Sequence, residues 1–463
     1  MKLQLAKFHF VGVGGIGMCG LAELLHNMGA QVSGSDLSEN ANTQRLKKIG
    51  VRIFQGHLAE NIGDADVVVY SSAVSFQNPE LVEARLKKIP SIPRAEALAE
   101  IMRLKRGIAV AGTHGKTTTT SMVASVFYHS EQNPTIFIGG RFDLIDSTAH
   151  LGTGEWLIAE ADESDGSFHK LTPEIAIITN IDSDHLDHFK SFENLQRSFY
   201  EFALKVPFYG LTIACGDDPQ VRKLFENFPK RIIFYGFDMA NDVVLKGEKG
   251  HYQFFQKEIF FKTNAKLTKD GYLLGELKLQ LPGRHNALNA TAAALAGLNA
   301  GLTSKEVEKG ITDYRGVDRR FQFKGECKQV IVYDDYGHHP TEVRAVLEAF
   351  KEKFPKNRLV VYFQPHRYSR TQSCWTDFVQ SFKLSDVLFL TDIYPAGEKP
   401  IPGITSVKLL EEISHPQAHY LVKSDKMAKI ILSELKSGDV FLTLGAGDGW
   451  KLGMEILEKL KEN

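Results

Sequence analysis

Short, continuously apolar runs recur along the chain, and each is followed at once by glycine, charged or hydrogen-bonding residues. Residues 8–11 lead into Gly12-Val13-Gly14-Gly15-Ile16-Gly17, and residues 108–110 into Ala111-Gly112-Thr113-His114-Gly115-Lys116-Thr117-Thr118. Residues 156–159 precede Glu160-Ala161-Asp162-Glu163-Ser164-Asp165, and residues 175–179 precede Asn180-Ile181-Asp182-Ser183-Asp184-His185. Further on, residues 330–333, 359–363 and 440–444 lead into Asp334-Asp335-Tyr336-Gly337-His338-His339, Gln364-Pro365-His366-Arg367 and Gly445-Ala446-Gly447. Apolar runs without polar alternation predict strands buried on both faces, and helical segments such as residues 121–128 lie between them. The pattern is that of an α/β protein with parallel sheets whose polar chemistry gathers at strand C-termini. Three such groups predict three domains, 1–104, 105–314 and 315–463, cut at the charged stretch 103–105 and at 314–316. Residues 232–281 read as short strands with turns, an antiparallel addition to the middle domain.

At 463 residues the chain has room for two to four domains of roughly 100–200 residues each. Lysine and arginine (55) nearly balance aspartate and glutamate (56), so charge gives no support to a nucleic-acid or acidic-membrane partner. Cys19, Cys215, Cys327 and Cys374 are far apart, which fits reduced thiols and a cytoplasmic location. The apolar stretch 8–25 could pass for a signal peptide, but its glycines fit a strand and a phosphate turn better. No stretch approaches the about 20 apolar residues of a membrane span.

The segment 112–118 carries the strongest chemical signal. A strand, a small flexible loop and a helix N-terminus present backbone N–H groups to an anion. Lys116 then adds a charge for the β and γ oxygens of a nucleotide, and Thr117 a hydroxyl for Mg²⁺. The first glycine of the usual pattern would fall at Val110; here the loop has Gly112 instead. Gly12, Gly14 and Gly17 form a second phosphate turn. Gly15 and Ile16 lie within it, Ser35 and Asp36 end the next strand, and Ser71 and Ser72 follow a further one. This loop suits any diphosphate, so by itself it does not separate NAD from a UDP-sugar.

Glu160 ends a strand in the same predicted domain as Lys116 and is placed for Mg²⁺, with Asp162, Glu163 and Asp165 competing and His185 a weaker ligand. Near the C-terminal strands, Arg367 and Arg370, three residues apart, can grip a carboxylate bidentately, beside Tyr336, His338, His339 and His366.

Taken together, residues 11–18, 112–120, 160–168, 180–187, 283–290, 316–321, 334–342, 365–371 and 394–398 resemble the Mur ligase family, ATP-dependent amide-forming enzymes of peptidoglycan precursor synthesis. The resemblance runs nearly end to end. It implies a Rossmann-like N-terminal domain for a UDP-sugar, a central P-loop ATPase domain and a C-terminal Rossmann-like domain for an amino acid. It also implies ATP and Mg²⁺ as cofactors, UDP-N-acetylmuramate and L-alanine as small-molecule substrates, no membrane insertion, and a monomer or weak homodimer. By the same carry-over Asn286 and Asn289 lie by the adenine, and Arg320 and Asp335 near the nucleotide. Glu160 and His185 hold Mg²⁺ with Thr117, catalysis falls to Lys116, His185 and Glu160, and Tyr336, His338, Arg367 and Arg370 form the alanine pocket. Tyr200 stands where several relatives have a carbamylated lysine. Rival readings are a ligase that adds a tripeptide to the same UDP-sugar, an NAD-dependent oxidoreductase and a P-loop switch protein.

Overall fold

A computed structural model describes residues 3–164, 166–259 and 266–462. Parallel strands follow the apolar runs. β1 (Lys7–Val11), β2 (Gln31–Asp36), β3 (Arg52–Gln55), β4 (Val67–Tyr70) and β5 (Ser91–Pro93) form an all-parallel sheet in the order β3-β2-β1-β4-β5. The order reverses beside β1, which is where open α/β sheets leave a crevice for ligands at their C-terminal edge. Helices α1 (Ile16–Asn27), α2 (Ala41–Lys48), α3 (Pro79–Leu86) and α4 (Arg94–Met102) are interleaved with these strands.

The second sheet has eleven strands: β6 (Arg106–Ala111), β7 (Thr135–Phe142), β8 (Ser147–His150), β9 (Trp156–Glu160), β10 (Ile175–Ile178), β11 (Leu211–Cys215), β12 (Ile232–Gly236), β13 (Val243–Glu248), β14 (His251–Gln256), β15 (Lys266–Thr268) and β16 (Gly271–Lys278). Their order is β15-β16-β14-β13-β12-β11-β10-β6-β9-β7-β8, so β6 and the phosphate loop it feeds lie inside the sheet. The expected antiparallel addition needs correction. β12 pairs parallel with β11 and β13 parallel with β12, whereas β15 and β16 at the far edge pair antiparallel. The helix after the loop, α5 (Lys116–His129), starts five residues ahead of the predicted 121, because Lys116 and Thr117 already form its first turn.

The third sheet, β17 (Gln322–Cys327), β18 (Val330–Asp335), β19 (Leu359–Phe363), β20 (Val387–Leu390), β21 (Ala418–Tyr420) and β22 (Val440–Leu444), runs in the order β17-β18-β22-β19-β20-β21. It is parallel except for β17.

The chain gathers into two compact units. One comprises the residues up to Lys246 with Tyr252–Lys278 and Leu288–Tyr314; the other comprises Gly247–His251, Leu279–Ala287 and everything from Arg315. Within the first unit one apolar core joins both sheets, from Phe10, Leu21 and Val69 through Phe137 and Leu157 to Phe199 and Phe225. The second unit has its own core around Val332, Val360, Phe441 and Ile456. Among the described residues no helix is long and apolar enough to cross a membrane.

Candidate active site

The two glycine loops end in helices that no side chain caps. Gly15 precedes α1 and Gly115 precedes α5, neither with a side-chain cap bond, whereas Asn40 and Asn78 cap α2 and α3. First-turn N–H groups without an internal side-chain acceptor, at the positive helix end, suit an anionic ligand.

The first loop is held from below. Ser35 O accepts the Gly12 and Val13 N–H groups at 2.9 and 3.0 Å, and Asp36 Oδ2 accepts the Gly14 N–H at 2.8 Å. Ser71 lies beside Gly12, and Gly15 and Ile16 face solvent. Ser35, expected near the ligand, faces the protein interior. Ser35 is fully buried, and its hydroxyl donates to Glu80 Oε2 at 2.6 Å and lies 3.0 Å from His57 Nδ1. Its carbonyl and hydroxyl are both spent inside the protein, so Ser35 supports the loop. Glu80 also accepts from Asn61 Nδ2 at 2.7 Å and lies 3.4 Å from His9. Burial raises the Glu80 carboxyl, but hydrogen bonds from His9, Ser35 and Asn61 outweigh it and hold it below the ordinary range.

The second loop is pinned to the segment after β10. Thr113 N donates to Asn180 O, His114 N to Asn180 Oδ1 at 2.8 Å, and the Thr179 hydroxyl to His114 O at 2.7 Å. His114 Nε2 lies 2.9 Å from Asp182. Gly115 sits at φ +79°, in the left-handed region that favours glycine, with Asn289 against it. Thr118 is buried, which leaves its backbone N–H as its means of contact. Asn286, one turn before Asn289 on the helix Arg284–Asn299, donates to Pro282 O at 2.7 Å.

Lys116 Nζ donates to Gly112 O (2.7 Å), Thr113 O (3.0 Å) and Glu163 Oε1 (2.7 Å). Burial disfavours its ammonium, but Glu163, Asp162 and Glu160 outweigh that and hold it above its ordinary value. Burial pushes Glu163 up to about 7 against the opposing Lys116 charge. The Thr117 hydroxyl donates to Glu160 Oε1 at 3.1 Å, and Glu160 Oε2 accepts the Gly139 N–H at 2.9 Å. His185, at φ +57°, brings Nε2 to 3.9 Å from Glu163 Oε1. Among the described residues, buried Glu163 Oε2 has no hydrogen-bond partner. The Thr117 hydroxyl with Glu160, and separately the Glu163 carboxylate, offer hard oxygen donors of the kind a divalent cation such as Mg²⁺ takes. Asp165 lies outside the described residues. Tyr200 stacks on Phe225 and meets Phe228 edge-on, in apolar surroundings.

In the second unit, Tyr336, His338 and His366 pack in sequence, with ring centroids 5.4 and 5.6 Å apart. Arg370, 7% exposed, brings Nη1 to 3.3 Å from His366 Nδ1. Arg367 adopts φ +69°, and its buried Nε has no hydrogen-bond partner among the described residues. The Arg320 guanidinium lies over the Tyr336 ring and 3.5 Å from Glu342. Asp335 accepts the Phe321 and Gly337 N–H groups, and burial pushes its carboxyl up to about 6. Tyr394, stacked on His366, belongs to this cluster. Sequence reasoning gave no role to Tyr394, Asn180 or Thr179, and it gave Glu163 only as one rival for Mg²⁺. Their signal was their place directly after buried strands.

Family models cover nearly the whole chain in the matching order. They are the Mur ligase family catalytic domain over residues 7–106, the Mur ligase middle domain over 110–297 and the Mur ligase glutamate ligase domain over 319–447. The chain belongs to the Mur ligase family. Mur ligases are ATP-dependent ligases. The UDP-N-acetylmuramate–L-alanine ligase of Bdellovibrio bacteriovorus is 68% identical to this Mur ligase, over 99% of this chain and 100% of that one. Among solved structures, UDP-N-acetylmuramate-alanine ligase MurC from Thermotoga maritima superimposes with a TM-score of 0.81 at 30% identity, over 99% of each chain. A murein peptide ligase from Psychrobacter arcticus gives 0.70 at 23% identity, again over 99% of each, and shares the fold.

Proposed function

We propose that this Mur ligase joins L-alanine to the lactyl carboxylate of UDP-N-acetylmuramate with conversion of ATP to ADP and phosphate. The observation that carries this reading is 68% identity, across essentially the full length, to a ligase named for those two substrates. In this reading residues 1–104 take the UDP-sugar through Gly12, Gly14, Gly15, Ile16, Gly17, Asp36, Ser71 and Ser72. Residues 105–314 take ATP through residues 112–118 and Asn289. Residues 315–463 take alanine through Tyr336, His338, Arg367 and Arg370, and Asn286, Arg320 and Asp335 are further nucleotide contacts.

A carboxylate acylates an amine poorly, so its oxygen first attacks the γ-phosphorus. The new O–P bond forms as the bond to the β–γ bridging oxygen breaks, which gives an acyl phosphate and ADP. Lys116 leaves its Glu163 and carbonyl partners for the γ oxygens and offsets their charge. The neutral amine of alanine then attacks the acyl carbon, and phosphate leaves with the original carboxylate oxygen. Thr117, Glu160 and His185 would hold Mg²⁺. The ion when bound neutralises charge on the phosphate oxygens.

The test is ADP release from ATP, Mg²⁺ and UDP-N-acetylmuramate with L-alanine, with the tripeptide L-Ala-γ-D-Glu-diaminopimelate, or with no acceptor. Stimulation by L-alanine alone is expected. Stimulation by the tripeptide alone would move the chain to the tripeptide-adding ligases, and no stimulation by either would overturn the UDP-sugar assignment.

A further inference from the structure

We infer that Arg94 binds the carboxylate of the sugar nucleotide, between the loop that holds its diphosphate and the loop that holds ATP. The inference rests on the substrate reading above and adds a residue that the sequence motifs did not single out. Arg94 opens α4 directly after β5. One side of its guanidinium lies against Gly17 in the first turn of α1, so closely that a Cβ at 17 would stand 2.5 Å from Nη1 and 3.1 Å from Cζ. Its other side faces Asp162, with Nη2 to Oδ2 at 3.5 Å, in the segment after β9 that also carries Glu160 and Glu163. Arg94 therefore touches the first turn of the diphosphate helix and pairs with a carboxylate in the same segment as Glu163, the partner of the phosphate-loop lysine.

The guanidinium is underused where it stands. It offers five N–H donors in a planar fork, yet among the described residues its one polar partner is Asp162, at ion-pair rather than hydrogen-bond distance. The side chain is 24% exposed, so a ligand can reach it. The proposed substrate needs such a group in this place. Its diphosphate is served by the loop N–H groups and the positive end of α1, whereas its carboxylate must extend from that helix toward the γ-phosphate at Lys116. Arg94 lies on that path with a fork shaped for a carboxylate. It keeps the carboxylate anionic and turned for attack, as productive geometry requires.

Calorimetric titration of the full-length protein with UDP-N-acetylmuramate and with UDP-N-acetylglucosamine, which lacks the lactyl carboxylate, tests this. Wild type is expected to bind the first more tightly. Arg94→Ala should weaken UDP-N-acetylmuramate roughly tenfold, a typical effect for a charge-assisted pair, and leave UDP-N-acetylglucosamine unchanged. Arg94→Lys, which keeps the charge and loses the fork, should recover only part of the loss. Equal weakening of both ligands would assign Arg94 to the diphosphate or to structure and overturn the inference, as would no weakening of either. Equal wild-type affinity for the two ligands would also overturn it. Wild type that binds neither would instead overturn the substrate reading beneath it.

Discussion

Lys116 has three acceptors, Gly112 O, Thr113 O and Glu163, and a strand-loop-helix motif names only the lysine. Removing its charge withdraws the group that balances charge on the transferring phosphoryl, so Lys116→Ala should lower kcat by about 10³-fold or more. UDP-sugar affinity should stay near wild type; steady-state ADP release and a UDP-sugar titration check the two halves. His285 makes a second case, one in which burial is the largest influence. Burial, with Arg320 adding to it and Glu342 opposing, lowers its pKa to about 4. As pH falls the unfolded chain takes up that proton first, so the His285 contribution is fully present above about pH 6.5 and is lost toward pH 4. Relative to His285→Gln, wild type should lose about 3 kcal/mol of stability over that window, read by urea unfolding at several pH values. Asp335, raised to about 6 by burial, acts in the opposite sense: its contribution declines as pH rises from about 4 to 6, and it is common to both proteins.

The helices obey local rules where their surfaces are free and tertiary ones where they are packed. Asn40 with Thr43 makes a capping box, and Thr303 with Glu306 makes another. Both glycine-loop helices forgo such a cap, and that local weakness is what equips them for anions. α5 packs on the helix Ser304–Thr312 through Gly310, where a Cβ would stand 2.5 Å from Val126 Cα. The Ser125 hydroxyl fastens the same contact by donating to Gly310 O at 2.7 Å. Backbone does not yield as a side-chain tip does, so Gly310→Ala should cost roughly 1–3 kcal/mol from overpacking, measured as a lowered unfolding midpoint. Residues 232–281 show the limit of reading single elements. A strand's neighbours decide whether it pairs parallel, so the local pattern of short strands and turns carried no information about β12 and β13.

Across the molecule the three expected domains become three sheets in two compact units, because the first two sheets share a core. The residues proposed for L-alanine fall in one unit and the phosphate loop with the glycine-rich loop in the other, which should separate their effects in the full-length protein. Arg367→Ala should raise the KM for L-alanine at least tenfold through loss of a carboxylate contact, with the KM for ATP and the UDP-sugar affinity nearly unchanged. Initial rates with each substrate varied in turn decide it. An unchanged alanine dependence would place the amino-acid site elsewhere.

The sequence by itself determined the elements and the chemical inventory. Apolar runs of strand length bounded by glycine and charge define buried strands locally, and Gly115-Lys116-Thr117 or Arg367 to Arg370 carry their functional groups within a few residues. What depends on groups distant along the chain was decided only by the tertiary structure. It turned Ser35 inward to Glu80 and set Glu163 against Lys116. It also packed Arg94 between Gly17 and Asp162. The physical reason is that burial and charge pairing act over a few ångströms of space, and no spacing along the chain encodes which residues more than forty positions apart will share those ångströms.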